Sequence, residues 1–162
     1  MKKIMELLQN MKAKNEKKDN KGFSLVELII VIAIMAILVG IVGTQVIPYI
    51  SKSKVAKDQQ VLNSISTAGV TAYSENGLTG DLEIPNVFAT GLTGDAKKVA
   101  DDIISTSGFA DLNAFKAALG ADGKDDITDV SFKVTAGSHK AETEVKYSTD
   151  PKYPIKKVEA TL

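Results

Sequence analysis

Hydrophobic positions follow three different patterns along the chain. Residues 28–43 read LIIVIAIMAILVGIVG, sixteen positions with neither a charge nor a hydrogen-bonding side chain. With 23–26 before it and 44–50 after it, the apolar stretch covers 28 residues, about 42 Å of helix against a hydrocarbon core of about 30 Å. A helix of that length can cross a bilayer. Residues 51–76 then place Val55, Leu62, Ile65, Ala68, Gly69 and Ala72 at three- and four-residue spacings, which predicts an amphipathic helix that stops at Asn76-Gly77. The stretch 77–94 is rich in Gly, Thr and Asp and contains Pro85, so it reads as a long connection with one short strand near 86–89. Two short helices are predicted next. The first, 95–105, turns Val99, Ile103 and Ile104 inward, and the second, 110–119, uses Leu112, Phe115, Ala118 and Leu119 before Gly120 ends it. The period then changes to two. Candidate strands lie at 127–135, with Val130, Phe132 and Val134 on one face, at 142–148, with Val145 and Tyr147, and at 155–162, with Ile155, Val158, Ala160 and Leu162.

Charge refines this picture. The formal net charge is zero, yet residues 1–22 hold seven Lys against Glu6, Glu16 and Asp19, a balance of +4 that leaves −4 on residues 23–162. Lys12, Lys14, Lys17, Lys18 and Lys21 crowd the N-terminal side of the apolar run, which predicts that side in the cytoplasm and the remainder outside. Lys52, Lys54 and Lys57 follow the run and reduce the contrast. A secretory signal peptide has a shorter apolar core followed by a small-residue cleavage site. Here a hydrophilic leader ends in Lys21-Gly22 and the apolar run begins at once. Cleavage is therefore expected on the cytoplasmic side, ahead of the run.

Composition removes several kinds of chemistry. All twenty basic residues are Lys and none is Arg, so the bidentate forks that read phosphates and bases are missing and direct nucleic-acid binding is not expected. Cysteine is absent, which leaves the fold to packing alone. His139 is the single histidine and sits in Gly-Ser-His-Lys, read as a solvated turn. Asp122, Asp125, Asp126 and Asp129 beside Gly123 offer clustered hard oxygens, but their spacing is not that of an EF-hand, and a solvated acidic loop is expected with no metal. No phosphate loop, nucleophile elbow or metal cluster marks an enzyme, and no cofactor is expected.

Lys21-Gly22-Phe23-Ser24-Leu25-Val26-Glu27-Leu28, followed by IIVIAIMAIL, resembles the prepilin signature of the type IV pilin family, over about the first 60 residues. The resemblance implies an α+β fold, a long N-terminal helix packed on a small antiparallel sheet of about three strands. It also implies cutting between Gly22 and Phe23 by a membrane-bound prepilin peptidase, methylation of the new Phe23 amine, and extrusion by an assembly ATPase with inner-membrane platform proteins. The implied parts are a leader at 1–22, a membrane and filament-core helix at 23–50, its amphipathic continuation at 51–76 and an extracellular head at 77–162. Glycine at 22 suits a narrow protease groove because it has no side chain. Glu27 is an acid within a membrane helix and needs a counter-ion. No cationic side chain lies between Lys21 and Lys52, so after cleavage the Phe23 amine is the nearest cation. In a filament, the amine of an incoming subunit can pair with Glu27 of a docked one and set the axial register.

The family commonly has proline where this chain has Thr44, and Pro48 comes one turn later. Any distortion of the helix is therefore expected within 40–48, aided by Gly40 and Gly43. The expected function is a structural subunit of a type IV pilus serving adhesion, twitching motility or surface contact. The alternatives are a minor pilin or pseudopilin of a secretion or DNA-uptake machine, and a membrane-anchored enzyme or binding module.

Overall fold

The computed structural model describes residues 3–6, 9–10 and 24–162. Two units make up the chain, Met1–Thr44 and Gln45–Leu162. In the first, residues 3–6 and 9–10 are helical and exposed. Helix α1 follows at Leu25–Ile41 and buries none of its residues. Its Leu, Ile, Val and Met side chains are between 43% and 74% exposed. A helix that is apolar all round, with no protein surface covering it, belongs in lipid or among other chains. Helical backbone continues from Leu25 to Glu75, long and apolar enough to cross a membrane. Within that run, Val42–Val46 forms a π-helical turn.

The second unit is an α+β head. Helix α2, Ile47–Glu75, buries Leu62, Ile65, Ala68, Gly69 and Ala72 as the spacing predicts, together with Asp58, Ser66 and Tyr73. Val55 is only half-buried. Against it packs a four-stranded antiparallel sheet in the order β1-β2-β3-β4, formed by Leu82–Ile84, Ile127–Thr135, Lys140–Tyr147 and Val158–Thr161. Phe132 pairs with Ile84 on one side and Thr143 on the other. Val130, Phe132 and Val134 are fully buried, the face the alternation predicts. Helix α3, Gly94–Ser107, buries Val99 and Ile103 and ends at Gly108 in the left-handed region, φ 78°. Helix α4, Leu112–Ala118, starts at Asp111, whose carboxylate accepts the Ala114 N–H at 2.7 Å. Phe115 of α4 fills the end of the core, edge-on to Phe109 at 5.7 Å and near Phe88 at 6.1 Å.

Several local expectations are corrected. The first strand lies at Leu82–Ile84 and not at 86–89, because Pro85 interrupts the ladder and Asn86 folds into a turn. Its side-chain oxygen accepts the Phe88 N–H at 3.0 Å, and its amide donates to Asp129 at 2.8 Å. The last strand begins at Val158 and not at 155. Pro151 and Pro154 carry no N–H to offer a ladder. Ile155 is instead buried ahead of the strand, and Gln59 of α2 holds Lys156 through two backbone bonds of 2.8 and 2.9 Å. Ala118 is exposed, and Leu119 caps α4 in place of Gly120.

Candidate functional site

Of the residues expected to serve assembly, Glu27 lies in the first turn of α1. Ser24 is its N-cap, with extended backbone, and its hydroxyl oxygen accepts the Val26 N–H at 3.3 Å. Glu27 reaches back so that its Oε2 accepts the Ser24 N–H at 2.8 Å, completing a capping box. The carboxylate thus lies in the first turn, where the unpaired N–H groups carry partial positive charge. Among the described residues only Oε2 is used in this way. An acceptor remains for a cation brought from outside. Ser24 is a capping residue that the local pattern Ser-x-x-Glu ahead of an apolar run signals.

Lys21, Gly22 and Phe23, expected to form the processing site, lie outside the described residues. Gly43 lies within the π-helical turn, and Gly40 and Pro48 stand two residues to either side of it. A side chain added at either glycine would meet nothing within 4 Å, so crowding does not demand glycine there. Thr44 uses its hydroxyl to donate to the Gly40 carbonyl at 2.9 Å, a bond back along the helix that favours bending. Pro48 occupies the first turn of α2, where a missing N–H costs least.

In the head, two of the four acidic residues at 122–129 have separate partners. Asp122 accepts from Ser51 at 3.3 Å and lies 3.6 Å from the Lys54 ammonium, and Asp129 binds Asn86. Among the described residues no group of three or more acids and histidines converges on a point. His139 is exposed in the β2–β3 turn with φ 51°, and its carbonyl accepts the Leu162 N–H at 3.0 Å.

Asp58 carries no signal in the sequence, yet it is 2% exposed. Its carboxylate accepts the Gly120 N–H at 2.9 and 3.1 Å and the Ala121 N–H at 2.7 Å, fastening the loop after α4 to α2. Nearby, Tyr147 donates nothing to that clamp but accepts the Ile155 N–H at 3.0 Å. Burial pushes its hydroxyl above 10.0; the Ile155 bond opposes this and the charge of Asp58 adds to it.

Compared with known families, the chain matches the prokaryotic N-terminal methylation motif over residues 17–43. Neither a curated protein nor a solved structure matches it.

Proposed function

We propose that the chain, which matches the prokaryotic N-terminal methylation motif over residues 17–43, is a structural subunit of a type IV pilus, stored in the membrane and polymerised through α1. The motif supports a pilin-like or pseudopilin precursor, implies a prepilin peptidase and pilus-type assembly machinery, and with the apolar helix suggests membrane anchoring of the precursor. Within the proposal, the peptidase cuts between Gly22 and Phe23 and the Phe23 amine is methylated. The filament then forms at the cell surface, for adhesion or motility. Its parts are the leader at 1–22, the filament-core helix at 23–50, the amphipathic helix at 51–76 and the head at 77–162.

The observation that carries this reading is Glu27. An acid at the mouth of a helix otherwise free of charge, with one oxygen committed to its own N-cap and the other without a partner among the described residues, is a docking point for the ammonium of another copy. Because neighbouring apolar helices slide against each other easily, a single ionic contact suffices to fix their register. A pseudopilin would use the same contact, and abundance separates the two roles.

Mass spectrometry of sheared surface material tests the proposal. The expected chain begins at Phe23 with one added methyl and is a dominant component of the fibres. Recovery of the chain with its lysine-rich leader intact and no polymer present overturns the reading.

A further inference from the structure

Beyond the end of the apolar run, two distant segments meet on one side of the head. Ile47, Tyr49 and Ile50 in the first turn of α2 are 56%, 74% and 49% exposed. One turn further on, the Lys52 ammonium lies 5.9 Å from the centre of the Tyr153 ring, and the Lys152 ammonium lies 5.5 Å from the same ring. Tyr153 with Ile47, Pro48 and Val55 lines a cleft of about 170 Å³. The position of Lys152 and Tyr153 is set by the chain around them, since Ile155 is buried and Gln59 holds both backbone groups of Lys156.

The charges in this cluster are unbalanced. Asp122 lines the cleft, but it is engaged by Ser51 and Lys54. Among the described residues neither Lys52 nor Lys152 has a carboxylate within salt-bridge distance. The aromatic face draws two like charges together, and that arrangement attracts an anion. Its chemistry is that of the membrane interface: aliphatic side chains, then tyrosines with a polar tip, then lysines long enough to reach phosphates.

We propose that Lys52, Lys152 and Tyr153 form a collar that binds the headgroups of anionic phospholipids while the subunit is stored in the membrane. This rests on the membrane-anchored reading above. The occupant is a lipid phosphodiester, because exposed apolar residues immediately precede the cations and match the acyl boundary of a bilayer, which a free phosphate would leave uncovered. Collar binding holds the head against the bilayer surface, and extraction of the subunit into a filament must release it.

Native mass spectrometry of the full chain, released from vesicles containing equal phosphatidylglycerol and phosphatidylcholine, gives the test. The wild-type chain is expected to retain phosphatidylglycerol preferentially. The Lys52→Gln/Lys152→Gln double variant is expected to lose that preference by about 30-fold, from roughly fivefold per lysine at a charged surface. Leader lysines are common to both chains, so the difference reports the collar. Lys97→Gln/Lys98→Gln on α3 is expected to behave as wild type. Equal retention of the two lipids by the wild type, an unchanged preference in the double variant, or an equal loss in the α3 variant each overturns the proposal. So does displacement of the lipid by millimolar inorganic phosphate, which would mark an ion site. Fractionation keeps the two readings apart: a native chain recovered away from membranes contradicts the anchoring premise, whereas a membrane-bound chain without lipid preference contradicts the collar alone.

Discussion

Two carboxylates in this chain carry opposite duties. Glu27 is held by one hydrogen bond from the Ser24 N–H, and the proposed filament uses its remaining acceptor capacity for another subunit. Replacing it with Ala removes the acceptor and the register contact but leaves Gly22-Phe23 untouched. Fibre yield in sheared fractions is therefore expected to fall at least tenfold while the leader is still removed, with wild-type yield contradicting the register argument. Asp58 is fully committed inside the head, taking the N–H groups of Gly120 and Ala121. Asp58→Ala leaves two backbone donors without partners and is expected to destabilise the head by about 2–4 kcal/mol, read as a lower urea midpoint. Asp58→Asn, which keeps one oxygen acceptor, should fall between the two.

At the scale of elements, the contact between α2 and the sheet depends on the lack of a side chain at position 69. A Cβ there would stand 2.4 Å from the Phe132 ring, and Phe132 is itself fully buried between Ile84 and Thr143. The ring cannot give way without disturbing both strands. Gly69→Ala should cost about 1–3 kcal/mol despite the higher helix propensity of Ala, and urea unfolding measures it. Gain of stability in that variant would show that α2 can shift outward from β2. The solvent side of β3 and β4 is organised differently. Lys157 bridges Glu142 at 3.0 Å and Glu159 at 2.8 Å, raising the lysine and lowering Glu159 from their ordinary values through those hydrogen bonds. Such charges at an exposed edge discourage pairing with another sheet.

For the whole molecule, stability at alkaline pH follows the half-buried phenol that joins the sheet to the C-terminal segment. Tyr147 has a folded-state pKa above 10.0, mainly because burial penalises its ionised form. Its contribution is intact below the unfolded-chain value near 10 and is lost as pH rises through the higher folded value. The urea midpoint should consequently fall between pH 9 and pH 11 more for the wild type than for Tyr147→Phe. Equal pH dependence in the two chains would remove Tyr147 from the account. The same molecule-wide view separates its two environments: α1 leaves its apolar surface uncovered, whereas α2 and the sheet enclose a core of Leu62, Ile65, Val99, Ile103, Phe115 and Phe132.

The sequence by itself determined the apolar span, the leader motif and the inward faces of α2, β2 and β3, because each is a pattern along a single segment: a length matched to a bilayer, a local signal, a period of 3.6 or 2. It also contained the Ser24–Glu27 cap, which is equally local. Only the tertiary structure decided that Asp58 fastens a loop 62 residues away, that Gly69 makes room for Phe132, and that Lys52 and Lys152 share one aromatic ring. Those contacts join residues whose separation along the chain exceeds any period, and they arise only when burial of the core brings the segments together. Strand limits at Pro85 and Pro154 were decided there too, since a proline's missing N–H matters only where a neighbouring strand would have received it.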